Sequence, residues 1–369
     1  MKKLMLWLPL VVLGGIWPQS APAEDGENYS NSPYAAQIGF DSFNYSVKQR
    51  LESIRLGVLD SGYSAAPLIR SDSAMAAPAS RSSSVRSSYT QRQLDCVYTS
   101  GFTVWGDIYQ TWASQRSEDD NAGYRYTATA PAVGFDWTSG SFTVGLATTY
   151  NWGRLRGKDI SHNLKARAWD IAAYGQYNTN RYYARAGIGY GYNHYSGNRW
   201  AAIPQYASYH SHSLNLEGEF GLKFNFSDFM VNPHAGIRLF HDRRGAFAET
   251  PLTNISFGAG KENYYVLELP LGVDLGYAIK AGGALIVPRV KAAWIPELAR
   301  RRGRVSGSLL DSLIPYSSDS PRRSRNGFLL GLGLEAKITK SLSGHIDYDV
   351  NFRHKAYEHH WNVGVGFTF

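Results

Sequence analysis

The sequence predicts an all-β fold: a transmembrane antiparallel β-barrel of about 12 strands with an N-terminal α-helix in its lumen. Three observations predict it. The first is the closing stretch, HHWNVGVGFTF, in which Trp361, Val363, Val365, Phe367 and Phe369 alternate with Asn362, Gly364, Gly366 and Thr368. Period-two alternation gives a strand one oily face and one polar face. An oily strand left bare at a terminus is an aggregation hazard, and closing a barrel pairs its edge. The second is composition. The chain has 25 Tyr, 16 Phe, 10 Trp and 37 Gly in 369 residues, yet its mean hydropathy is −0.33. Its longest apolar run, near the N-terminus, is shorter than the ~20 residues of a membrane helix. The third is the rhythm of the connections. Long ones at 116–124, 155–163, 196–208, 243–261 and 299–326 alternate with tight ones such as Thr138-Ser139-Gly140, Asn178-Thr179-Asn180 and Thr339-Lys340-Ser341. Short turns on one side and long loops on the other are the habit of outer-membrane barrels.

The elements follow in order. Residues 1–23 read as a secretory signal: Lys2 and Lys3, an apolar stretch from Leu4 to Ile16, then Ala21 and Ala23 framing an A-x-A cleavage site. An uncleaved anchor is the alternative. Residues 24–40 are polar and short of core formers, a passenger-like segment. In 41–60, Phe43, Val47, Leu51, Ile54 and Val58 recur at helical spacing. At 1.5 Å per residue that helix is roughly 25 Å long, about the height of a membrane barrel, so it fits a lumen; a surface helix is the plainer reading. Residues 61–95, rich in Ser, Ala and Arg, read as a linker.

Residues 96–369 carry the strands. Leu214, Leu216, Phe220, Leu222, Phe224 and Phe226 form one oily row, and Tyr265, Leu267, Leu269, Leu271, Val273, Leu275 and Tyr277 another. Phe328 to Ile338 and Leu342 to Phe352 repeat the pattern. The opposite faces carry charges of both signs, including Glu217, Glu268, Glu335 and Asp347. Oily rows of nine or more positions suit tilted membrane strands better than soluble ones, which average nearer five or six residues. Arg50 and Arg55 on the helix are expected to meet the lumenal carboxylates Glu217, Glu268 and Asp347.

Little else in the chain points to chemistry. Cys96 is the sole cysteine, which excludes an internal disulfide. The net charge of +8 falls to +6 without Lys2 and Lys3, too small an excess to indicate nucleic acid. No GxSxG, HExxH, phosphate loop or CxxC occurs, so no cofactor and no enzyme activity are expected. His210 and His212 with His359 and His360 offer a rim metal site, against ordinary polar rim residues. His345, Asp347 and Asp349 offer the water-activating set of a hydrolase, against a lumenal ion-pair network. Arg300, Arg301, Arg302, Arg304, Arg322, Arg323 and Arg325 crowd the longest loop, where they offer a grip on lipopolysaccharide phosphates, against a solvated loop.

In residues 41–369 the pattern resembles the translocator β-domain of bacterial autotransporters, the type V secretion barrels. The resemblance rests on Arg50-Leu51-Glu52-Ser53-Ile54-Arg55 before the strands and on Trp105 in VWGDIY. It continues through Pro233-His234-Ala235-Gly236-Ile237-Arg238, Pro288-Arg289-Val290 to Glu297, and Leu330 to Leu334 followed by Asp347-Tyr348-Asp349. Asn362, Gly364, Phe367 and Phe369 fit its terminal signal for the barrel-assembly machinery. The resemblance implies residence in the bacterial outer membrane, with periplasmic chaperones and outer-membrane lipid as partners. The chain departs from the family's pattern in having only 24–40 where a long passenger usually stands, so export or display of a short segment is expected. A stand-alone porin or adhesin-like barrel is the alternative, and an outer-membrane hydrolase a more distant one.

Overall fold

The computed structural model describes residues 27–62, 100–117, 122–158, 162–200, 203–251, 256–281, 283–309, 315–320 and 323–369. The expected signal peptide with Ala21 and Ala23, and the linker beyond Gly62, lie outside the described residues.

Among the described residues, 12 long strands close an antiparallel barrel. They are β1 (Gly101–Gln115), β2 (Tyr124–Ser139), β3 (Phe142–Gly157), β4 (His162–Asn178), β5 (Tyr182–Trp200) and β6 (Pro204–Leu222). β7 (Phe229–Arg244) follows, then β8 in two pieces (Glu262–Glu268 and Leu271–Tyr277). β9 (Ala284–Arg301), β10 (Asn326–Lys337), β11 (Leu342–Arg353) and β12 (Ala356–Thr368) complete the wall. Closure comes from β1 against β12, in register from Thr103 opposite Thr368 to Gln115 opposite Ala356. The terminal stretch is therefore a paired strand with no free edge.

Alternation fixes which face is which. On β12, Trp361, Val363, Val365 and Phe367 are exposed outward while Asn362, Gly364 and Gly366 are buried. The oily rows of Leu214 to Phe226 and Phe328 to Ile338 also face out. Rings collect at both margins of the outer belt: Trp137, Phe142, Phe226 and Phe369 near the tight turns, and Trp152, Trp169, Tyr190 and Phe352 nearer the long loops. At the β2–β3 turn, Gly140 holds φ +55°, a left-handed conformation that glycine adopts without strain. β8 breaks between Glu268 and Leu271, just after its register with β9 slips by one residue between Leu267 and Glu268, yet Tyr265, Leu271 and Tyr277 all remain on the outside.

Two features depart from the expectation. The helix is longer than 41–60: α1 (Glu27–Ser30) leads into α2 (Ser32–Gly62), 31 residues and roughly 45 Å of helix. Tyr34, Ile38 and Phe40 are buried, so most of the segment read as polar and passenger-like is helix inside the barrel. An amphipathic stripe is the wrong template there, because a wall surrounds the helix and every face is covered. The second departure concerns the two longest loops. They contribute a separate four-stranded sheet of Phe247–Ala248, Phe257–Ala259, Arg304–Leu309 and Pro315–Asp319. It packs against α1 at the long-loop end.

Candidate functional site in the lumen

The lumen is divided along α2. Near the long-loop end the contacts are aromatic. Tyr29 packs edge-on against His162, at 4.4 Å between ring centroids, and against Phe247. Its hydroxyl donates to Glu249 at 2.9 Å, and Arg199 holds that carboxylate with two bonds of 2.7 and 2.8 Å. Burial, and then Glu249 beside it, raise the Tyr29 phenol well above its ordinary pKa, which keeps it a donor. Tyr34 packs between Tyr124 and Tyr264, with the Arg323 guanidinium over its ring. Phe40 lies against Gly189 of β5, where a Cβ would overlap the ring. Only glycine permits that approach.

Midway, the contacts become small and polar. Ser42 bonds Thr111 at 2.6 Å and His360 at 3.0 Å. Asn362 donates to Ser46 at 2.8 Å and also bonds His345. Asp41 pairs with Arg238 of β7 at 3.0 Å. From Arg238 a chain of ions crosses the wall through Glu268 to Arg353 and on to Glu297.

Toward the tight-turn end, charge dominates. Arg50 takes Asp136 of β2 in a bidentate grip of 2.7 and 2.9 Å. Tyr174 also donates to Asp136 and accepts a bond from the Trp105 indole. Glu52 meets Arg185 at 3.0 Å, Lys48 lies 3.7 Å from Glu217, and Arg289 donates to Gln49 at 2.7 Å. Arg55 pairs with Glu52 and stands 3.8 Å from Asp274, its guanidinium over the Tyr183 ring. Such buried pairs are expensive to break, because the survivor is an unpaired charge in low dielectric. The space left beside the helix is small: a recess of about 110 Å³ at the tight-turn mouth and an inner void of about 80 Å³.

The expected contacts are thus corrected in detail. Arg50 and Arg55 do face wall carboxylates, but these are Asp136 and Asp274. Glu217 meets Lys48. Glu268 reaches the helix only through Arg238, and Asp347 through Arg289, which it bonds at 3.2 Å. Asp136 carried a readable signal, since it is the lone acid on the polar face of β2, whereas Asp274 shares the polar face of β8 with Glu268. The register between helix and wall was not readable. His345 bonds Asn362 at 2.7 Å and lies 3.4 Å from Asp107, while Lys291 stands between Asp347 and Asp349. That is the ion-pair arrangement, with His345 bonded to neither Asp347 nor Asp349. His210 and His212 face outward beside Tyr192, on a different part of the wall from His359 and His360. No group of three or more metal-ligating side chains occurs among the described residues. Of the terminal set, Asn362 and Gly364 face the lumen, and Phe367 and Phe369 face out.

Comparison with known proteins bears on this arrangement. The chain is similar in structure to the translocator domain of the autotransporter NalP from Neisseria meningitidis, at 17% identity and a TM-score of 0.61, covering 73% of this chain and 89% of that one. It is also similar to the β-domain of the Bordetella autotransporter BrkA, at 15% identity and TM-score 0.56, over 73% and 100% of the two chains. The transport unit of AIDA-I from Escherichia coli matches at 15% identity and TM-score 0.52, over 72% and 90%. No curated protein matches the chain by sequence. Residues 104–349, from the first strand to the eleventh, match the family described as the autotransporter beta-domain, and the chain belongs to that family.

Proposed function

We propose that this chain is a translocator barrel of the bacterial outer membrane, which carries the segment before α2 through its lumen and displays it outside. In this reading the tight turns face the periplasm and the long loops face the exterior. One observation carries it: α1 and α2 thread the lumen, with Tyr29 of α1 at the long-loop mouth and Arg50 and Arg55 of α2 toward the turns. A chain held this way has its N-terminal side outside and its C-terminal side beside the start of β1. The polar, two-signed wall supports passage of peptide, because it offers partners to backbone and side chains alike. The commitment of His345, Asp347 and Asp349 to structural partners supports a barrel without catalytic work. The barrel-assembly machinery and periplasmic chaperones are the partners this reading needs, and the strand ending in Phe367 and Phe369 is its recognition element.

The test is topological. An epitope inserted after Asp25 should be reached by antibody and by protease on intact cells. A tag that becomes reachable only after lysis would sink the display reading. Deleting residues 24–60 should raise single-channel conductance stepwise. An unchanged conductance would favour a porin in which the helix is not the plug.

A further inference from the structure

The outer surface of the barrel is not uniform at the long-loop end. On β2, β3 and β4 five outward positions just above the aromatic belt are basic, Arg125, Arg154, Arg156, Lys165 and Arg167, all exposed, with Thr127 and Asn163 among them. The register sets them side by side. Arg125 lies opposite Arg156, Arg154 opposite Lys165, and Arg167 opposite Trp152. Like charges directly opposed across strands are destabilising unless a counter-charge is supplied. None is found here. Among the described residues no carboxylate shares this outward face, and none of the five cations has an ion-pair partner. Arg125, Arg154 and Arg156 line one open groove of about 560 Å³ together with Thr127, Gly157 and Lys158.

Height above the belt identifies the counter-charge. Trp152 and Trp169 are exposed and pack around Tyr150, at 5.3 and 4.8 Å between ring centroids. Such rings mark the level where acyl chains give way to headgroups. Arg154 and Arg167 stand two residues beyond them, and Arg156 and Lys165 four, which for a tilted strand is roughly 5 and 10 Å higher. That is headgroup level. The strands are long enough to reach it: 16, 16 and 17 residues, against the ~9–11 a bilayer needs. Four arginines of the longest loop are already partnered. Arg300 bonds the Arg323 carbonyl, Arg323 is buried against Glu358, Arg304 pairs with Asp319 and Arg301 with Glu262.

We propose that Arg125, Arg154, Arg156, Lys165 and Arg167 form a site for the phosphorylated glycolipid headgroup of the outer leaflet, with Trp152 and Trp169 against its acyl roots. Guanidinium groups bind phosphate bidentately, so a ladder of them suits two phosphates on one sugar backbone better than single-phosphate lipids. The proposal rests on the outer-membrane orientation given above, but it is tested without reference to export.

The experiment uses the full-length barrel in neutral detergent and follows Trp fluorescence and native mass spectra during titration with lipopolysaccharide. The parallel arms are the dephosphorylated lipid, inorganic phosphate alone, and a monophosphate phospholipid. Wild type should retain lipopolysaccharide, and the triple variant Arg154→Gln/Arg156→Gln/Lys165→Gln should bind at least ~10-fold more weakly, the dephosphorylated lipid weakening wild type similarly. Arg243→Gln, which removes an outward cation on β7, should change nothing, and heat-modifiability should show every variant folded. Equal affinity of wild type and triple variant would overturn the site. So would neutralisation by the acids close in sequence, Glu118, Asp119, Asp120 and Asp159, read as tight binding that appears only when those four are replaced by Asn or Gln. Inorganic phosphate competing at the lipid's own concentration would assign the ladder to a free ion and overturn the lipid. A chain that binds lipid yet fails to display its tag would sink the translocator reading alone.

Discussion

Arg50 of the helix and Asp136 of β2 form two parallel hydrogen bonds, 2.7 and 2.9 Å, with the carboxylate fully buried and the guanidinium nearly so. The pair joins the plug to the first hairpin of the wall. Tyr174 donates to Asp136, and Trp105 donates to Tyr174, so the carboxylate is held from both sides. Removing one partner strands the other. Arg50→Ala should therefore cost the folded helix–barrel unit about 3–5 kcal/mol and raise conductance through the turn-end recess. Arg50→Asp combined with Asp136→Arg should recover much of the loss, whereas either change alone should not. A double-mutant cycle with no coupling between the sites would show that the pair does not fasten the plug.

Gly189 and Phe40 define a second contact with no tolerance for bulk. A Cβ at Gly189 would overlap the Phe40 ring, and that ring also touches Phe43, at 5.9 Å between centroids. Gly189→Val should cost about 1–3 kcal/mol by overpacking. Phe40→Ala in the same chain should relieve it by making room, at its own cost in lost burial. Additive losses in thermal melts would mean the ring simply swings aside.

How much of this was legible can be judged at particular residues. The wall was, because alternation along Trp361 to Phe369 or Leu214 to Phe226 reports directly which side chains face outward. A residue's face follows from parity alone. Helix existence was legible in Phe43, Val47 and Leu51, but its start was not. Ser32, Ser42 and Ser46 look like surface or turn residues until a wall supplies partners such as Thr111, His360 and Asn362. The identity of each ion pair was hidden for a related reason. Which carboxylate faces Arg50 depends on the depth and rotation of the helix in the barrel, and neither is encoded in local pattern. The basic ladder on β2 to β4 was written in the sequence, yet it emerges only when cross-strand register sets Arg125 beside Arg156 and Arg154 beside Lys165.

Leu332 tests the inside–outside assignment at its most exposed point on β10. It is 60% exposed, faces out, and lies opposite Val290 and Tyr348. Leu332→Arg should place a charge near the bilayer midplane and cost about 2–4 kcal/mol in lipid. The same substitution in detergent micelles should cost less, since a micelle deforms around a charge more easily. Equal stability in lipid would mean that this face does not meet hydrocarbon.

Phe369 is the most exposed large apolar side chain described, at 74%. Its backbone N–H donates to the Phe102 carbonyl at 2.9 Å, which seals the β1–β12 seam at the final residue. The rings it meets are Phe367, at 4.9 Å, and Phe102, at 6.4 Å. Phe369→Ala keeps the backbone bond and removes a ring that packs on little protein, so the loss should fall below the ~1.5–3 kcal/mol of a fully buried side chain. A paired barrel survives that once closed. Assembly has no such reserve in the proposed reading, because before closure the strand is an unpaired oily edge that the assembly machinery would have to recognise and protect. Folded barrel in the outer membrane should therefore drop severalfold while the variant that does fold melts within a few degrees of wild type, the shift expected for well under 1 kcal/mol. Pulse-chase recovery combined with heat-modifiability on the same membranes separates the two. Normal recovery with a clearly lowered melting temperature would make Phe369 a packing residue, and the recognition role would fall.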